Sequence, residues 1–287
     1  MSTHAHRPDA LAWQVFRGSD VVSRGLLTTY QLRSSAWVRL RHDIYADARL
    51  DRDHTLACRA VALQLPAGAA VAGPSAAYLH GVEHAAGFAE AVHVLVPGPA
   101  GLRSQRGLQV HSMPREALAR LSVKGTPPHT DPARAAWESA VWLEPSRAVG
   151  IVDTLLGRGL TTRGALAEVA TANDDRPGAR RARWVFDQAE PAAQSPSESQ
   201  LRIRLVLAGL PRPVAQHPVP VPGGTVLHAG LAWPEHRVAV EYDGQRLYPL
   251  VGAGWLVLHV TSHRLHQDFP AVLREVHAAL VDRGWRR

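Results

Sequence analysis

Residues 195–244 constrain the fold more than any other stretch, because they spell one helix and three strands in a fixed order. Ser195, Pro196 and Glu198 make a Ser-x-x-Glu helix start with proline at the first helical position, where its missing N–H costs nothing. A helix is therefore expected over residues 197–208. Residues 214–219, 226–233 and 237–242 read as strands, residues 256–261 as a further strand, and residues 269–282 as a closing helix. Such an order predicts an α/β sheet with helical flanks, within a chain that is mixed α+β overall.

With 287 residues the chain exceeds most single cores, so two or three domains are expected. The composition points to 1–50, 51–190 and 195–287. Residues 8–50 suggest a small winged-helix-like unit. Thr28 is a candidate N-cap, residues 35–40 a second short helix, and Ile44 with Tyr45 the wing; a plain helical cap on the next domain fits equally well. Leu56, Ala57, Ala60, Val61 and Leu65 then form a helical stripe, residues 75–80 a helix, and Val92, Val94 and Val96 a strand with residues 107–111 as its partner. Asp131 before Pro132 is a helix start, and helices continue through Trp137, Val149, Leu166 and Ala182. Proline, alanine, glutamine and serine fill 190–196, which predicts a linker.

The net charge of +7 suits a polyanionic partner, DNA being the candidate. Lys124 is the lone lysine among 32 basic residues, so arginine-rich composition explains the charge equally well. Cys58 is the sole cysteine, which excludes an intrachain disulfide and predicts a reducing, cytoplasmic setting. Neither a signal peptide nor a membrane span is expected.

Phosphodiester cleavage needs a hard divalent cation, such as Mg2+, held by oxygen ligands from adjacent strands. Glu241 and Asp243, at i and i+2 on one strand, are expected to share a face and form the acidic pair and metal ligands. The preceding strand should add an acid just before Leu231, yet Gly230 stands there. Glu198 is a third catalytic candidate, with helix capping as its alternative role; Asp243-Gly244 also suits a turn. His228 is a substitute ligand, while His263 and His266 lack an obvious third partner. Trp233 and Trp255 are expected in the core. For DNA contact the candidates are Arg33, Arg39 and Arg41, with Arg180, Arg181 and Arg183 as a second group; solvated faces explain both.

Ser195, Pro196 and Glu198, with residues 207–211, 231–235, 240–244, Arg246, Leu247, 253–255 and Thr261, resemble the C-terminal domain of unknown function related to very-short-patch repair endonucleases, in the PD-(D/E)XK nuclease superfamily. Residues 25–32, 44–47, 75–81 and 132–138 resemble the type IV (abortive infection) antitoxin family. The resemblance implies a DNA-associated, antitoxin- or regulator-like protein with a toxin protein as a candidate partner, and a restriction-endonuclease-like fold at its C-terminus. Family members carry an aspartate at the position of Gly230 and a longer charged segment where residues 245–252 stand, and no lysine exists in this C-terminal region. A catalytically degraded pseudoenzyme is the expectation. The alternatives are an active Mg2+-dependent DNA endonuclease with a rebuilt site and a protein-interaction module without DNA binding.

Overall fold

A computed structural model describes residues 6–98, 101–221, 224–243 and 248–286. Its contacts divide the chain into two compact units, Met1–Glu138 and Ser139–Arg287. Both mix helices with sheets, so the mixed α+β class holds.

The first unit begins with β1 (Val15–Arg17), α1 (Gly18–Ser23), β2 (Trp37–Arg41) and β3 (Ile44–Asp47), whose strands form an antiparallel sheet in the order β1-β3-β2. Phe16, Val21, Leu27, Leu32 and Trp37 bury its core. Thr28 and Gln31 cap one another: the Gln31 N–H donates to Thr28 Oγ1 at 3.2 Å and the Thr28 N–H to Gln31 Oε1 at 2.8 Å. Only a 3-10 turn, Gln31–Arg33, follows. The short helix expected over 35–40 does not form, because most of that stretch belongs to β2. Trp37 meets Phe16 edge-on at 5.2 Å and pairs with β3 across a hairpin whose Asp43 takes φ 58°. Cross-strand packing outweighs the local helix signal there.

The unit continues with α2 (His54–Ala62), β4 (Ala70–Val71), α3 (Gly73–Leu79), β5 (Val92–Pro97), β6 (Leu108–Met113), α4 (Arg115–Ala119), β7 (Val123–Lys124) and β8 (His129–Thr130), and ends within α5 (Pro132–Trp142), in which the chain passes to the second unit after Glu138. Its second sheet runs β6-β5-β4-β8-β7, and the expected partner of β5 is β6, in parallel. Asp131 opens α5 as its sequence predicts, its Oδ1 accepting from the Arg134 N–H at 3.0 Å.

The second unit contains α6 (Pro145–Gly157), α7 (Arg163–Thr171), α8 (Ala179–Gln188) and α9 (Pro196–Leu207). It proceeds through β9 (Val214–Pro220), β10 (Val226–Trp233), β11 (Val238–Tyr242), α10 (Tyr248–Gly252), β12 (Leu256–Val260), α11 (Ser262–Gln267) and α12 (Phe269–Asp282). The sheet order is β12-β11-β10-β9, antiparallel except for the parallel β11–β12 pair. Leu231, Trp233, Val238 and Val240 pack one face against Leu201, Leu205, Val276 and Leu280, while Ala229, Ala232 and Ala239 face Leu250 and Trp255 on the other. Both tryptophans are core residues, and Trp233 Nε1 donates to the Pro211 carbonyl at 2.8 Å. Gly244, Gln245, Arg246 and Leu247, which carry part of the sequence resemblance, lie outside the described residues.

Instead of separating bodies, the stretch 190–196 lies inside this unit, and the chain divides at Glu138. A buried polar knot explains why. Asp153 on α6 accepts from Arg202 Nη2 at 2.7 Å and Ser199 Oγ at 2.6 Å, both on α9, and from the Glu190 N–H at 2.6 Å; Arg202 Nη1 donates to the Gln188 carbonyl at 2.6 Å. Arg202 is 1% exposed and Asp153 2%. The pair ties α6, the end of α8 and α9 together across the proline-rich stretch. Arg202→Met, which strands the buried Asp153 carboxylate, is expected to cost about 3–5 kcal/mol in urea unfolding. The double variant Asp153→Leu/Arg202→Met should recover most of that loss.

Candidate functional site

Glu198 and Glu241 reach one cavity of about 320 Å3 in the second unit, lined also by Gln216, His228, Gly230 and Tyr242. Ser195 fixes the start of α9 by accepting from the Glu198 N–H at 3.1 Å. The Glu198 side chain turns into the cavity, where Gln216 Nε2 donates to both carboxylate oxygens at 3.2 and 3.1 Å and the Gln194 N–H to Oε2 at 3.4 Å. Capping and cavity lining therefore coexist at this helix start. Gln194 and Gln216 carried no signal in the sequence, since an amide becomes a carboxylate's partner only once the chain has folded.

Gly230 lies where β9, β10 and β11 meet. The β10–β11 ladder ends at Leu231 opposite Val240, and the β9–β10 ladder skips the Gln216–Gly230 pair, with Gln216 at φ 52°. The side chains change faces there, because Ala229 joins the alanine-lined face and Leu231 the opposite one. Freed from the ladder, the Gly230 N–H donates to Glu241 Oε1 at 2.9 Å. A Cβ at position 230 would meet Glu241 Oε2 at 3.3 Å and the Val240 carbonyl at 3.4 Å. The glycine thus permits a backbone donor to touch the buried acid.

The expected Glu241–Asp243 pair does not converge. Glu241 is 8% exposed and faces the cavity, whereas Asp243 is exposed, takes φ 42°, and accepts from the Ser262 N–H at 3.1 Å. Strand alternation would place both acids on one face, but Asp243 lies just beyond β11, in a turn that breaks the alternation. Among the described residues no group of three histidine, cysteine, aspartate or glutamate side chains is arranged to hold a metal ion. Two carboxylates, Glu198 and Glu241, face the cavity, and the third acid of the expected set, Asp243, does not line it. His263 and His266 sit on α11, where His266 Nδ1 lies 2.8 Å from the Ser262 carbonyl.

Burial pushes the Glu241 carboxyl up and the Gly230 N–H draws it partly back. Glu198 is also raised, by burial first and by the Glu241 charge, against the opposing pull of Gln216. Neither acid forms an ion pair among the described residues.

The arginine candidates differ in setting. Arg33 and Arg39 are exposed on the first unit, with Arg39 Nε donating to the Arg41 carbonyl at 3.3 Å. Arg41 turns inward, Nε donating to Gln64 Oε1 at 2.9 Å and Nη1 to the Gly107 carbonyl at 3.2 Å. On α8, Arg180 is exposed, Arg181 is half-buried, and Arg183 pairs with Asp174.

No protein-family model matches the chain. The uncharacterized proteins Rv2248 (strain ATCC 25618 / H37Rv) and MT2308 (strain CDC 1551 / Oshkosh) of Mycobacterium tuberculosis are each 30% identical to it over 213 residues, covering 74% of this chain and 76% of theirs. The crystal structure of the RV2827C protein from the same species aligns with 72% of this chain and 84% of its own at 17% identity, with a TM-score of 0.42.

Because both carboxyls are raised, the native state holds more protons than the unfolded chain between the ordinary and raised values, so stability falls as pH rises through that window. Glu241→Gln keeps an oxygen for the Gly230 N–H while removing the charge. Its melting temperature relative to the parent chain should rise as pH is moved from about 4 to about 7. Thermal scans across that range check the sign.

Proposed function

This chain belongs to the family of the Mycobacterium tuberculosis proteins Rv2248 and MT2308, and we propose that it is a DNA-associated protein of antitoxin or regulator type whose second unit keeps a nuclease-like scaffold with a degraded metal site. The observation that carries this reading is the Gly230 N–H directed at Glu241 Oε1 from the strand position where the nuclease resemblance requires an aspartate. A metal site needs a second oxygen ligand at that point, and the chain supplies an electropositive donor instead. That donor takes up Oε1 of Glu241, and the negative charge an aspartate would add at this position is missing. Asp243, the other acid of the resemblance, is engaged with the start of α11. Losing one positioned transition-state group typically costs roughly 100- to 1000-fold in rate. The reading assigns Mg2+ no role in the native chain.

DNA association draws on the net charge of +7 and on the exposed Arg33 and Arg39 of the first unit. The antitoxin resemblance of residues 1–190 adds a toxin protein as a candidate partner. With supercoiled plasmid in Mg2+ or Mn2+, the native chain is expected to leave the DNA intact, and Gly230→Asp tests how much of the site one carboxylate restores. Metal-dependent nicking by the native chain, abolished by Glu241→Gln, would sink the degraded-site reading. Binding to a DNA duplex should weaken steeply with added salt as phosphate contacts release counterions. Salt-insensitive binding removes the phosphate-contact basis of the reading, and no binding at low salt removes the DNA association.

A further inference from the structure

The first unit contains a cavity of about 570 Å3 apart from the acidic site, formed where α2, the β2–β3 turn and the approach to β6 face one another. Its volume lies in the range typical of small-molecule pockets, about 300–1,000 Å3. Half-buried Ala57 of α2 and Phe88, 37% exposed, supply its apolar surface, with Ala60, Val61 and Val92 buried behind them. Arg41, His42 and Arg106 bring basic groups to the same walls, against the single acid Glu90.

Arg41 is held as part of this wall. Gln64 takes its Nε proton and Gly107 its Nη1 proton, while the Gln64 amide donates back to the His42 carbonyl at 3.2 Å. Gly107 has φ 72°, and a Cβ there would come within 3.3 Å of Arg41 Nη1, so glycine suits both the backbone and the close approach. These contacts engage Nε and Nη1; among the described residues Nη2 has no acceptor and the guanidinium has no carboxylate partner. Burial without a counter-charge lowers the Arg41 pKa, which is the electrostatic cost that a bound anion would offset. A fixed, half-buried cation beside the apolar surface of Ala57 and Phe88 selects a ligand with a charged head and an apolar body.

We propose that this cavity binds a small amphipathic organic anion, a carboxylate or phosphate monoester, whose head hydrogen-bonds to Arg41 and whose apolar body lies on Ala57 and Phe88. The inference is independent of the acidic cavity of the second unit, so the Glu198 and Glu241 variants leave it untouched.

The probe is 8-anilinonaphthalene-1-sulfonate, which carries an anionic head on an apolar body and brightens on binding. The folded full chain should bind one equivalent saturably. Octanoate and octyl phosphate should displace it, whereas octylamine and octanol, with the same body, should be at least tenfold weaker. Which of the two anions competes better distinguishes a carboxylate from a phosphate ligand. Arg41→Gln should weaken binding at least tenfold, and Ala57→Leu, which keeps the charge and takes up part of the apolar side, should weaken it several-fold. Equal displacement by octylamine, or unchanged binding in folded Ala57→Leu, overturns the proposal. Should Arg41→Gln fail to fold, the head-group series and Ala57→Leu decide it.

Discussion

Asp153 and Arg202 lie almost wholly out of water and 2.7 Å apart, and the placement of α9 depends on them. Two buried charges of opposite sign are costly to desolvate and costlier to separate, so geometry that satisfies both is strongly selected during folding. Here Ser199 and the Glu190 N–H complete the carboxylate while the Gln188 carbonyl receives the guanidinium. The consequence is positional. Ser199 and Arg202 bind inward near the start of α9, and Glu198, beside them, is turned into the cavity against the sheet.

The cavity inherits its character from a break in the sheet. Where the β9–β10 ladder skips Gln216 and Gly230, Gln216 meets Glu198 and the Gly230 N–H meets Glu241. Gln216 thus binds both oxygens of Glu198 and Gly230 one oxygen of Glu241, and burial raises both carboxyls, neither of which forms an ion pair among the described residues. Nuclease chemistry requires carboxylates turned toward a cation, and the strand position from which the resemblance would add a further carboxylate is Gly230. This contrast connects the fold, the electrostatics and the proposed loss of metal chemistry.

Much of this was legible in the sequence where one local rule decided the outcome. Ser195, Thr28 and Asp131 cap as their side-chain oxygens predict, and the strand patterns over 214–242 gave β9, β10 and β11 nearly to the residue. Glu198 and Glu241, chosen in the sequence as candidates for one site, do share a cavity, with Gly230 beside them. What stayed hidden depends on partners remote in sequence. Residues 35–40 favour strand because Phe16 and β3 wait for Trp37. Asp243 leaves the shared face because its left-handed backbone ends the strand's alternation. Arg41 reads like its exposed neighbours until Gln64 and Gly107, 23 and 66 residues away, draw it inward. The stretch 190–196 has a linker's composition, yet Asp153 binds its first backbone N–H.

The central claim is that Gly230 presents a hydrogen-bond donor to Glu241 where the resemblance calls for a metal ligand, so that Glu198 and Glu241 do not hold a cation between them. Crystals of the native chain soaked in Mn2+ and measured at the manganese edge test this directly. The account predicts no anomalous peak in the cavity, with the Gly230 N–H still bonded to Glu241. A manganese ion held by both carboxylates, with that hydrogen bond broken, would contradict it.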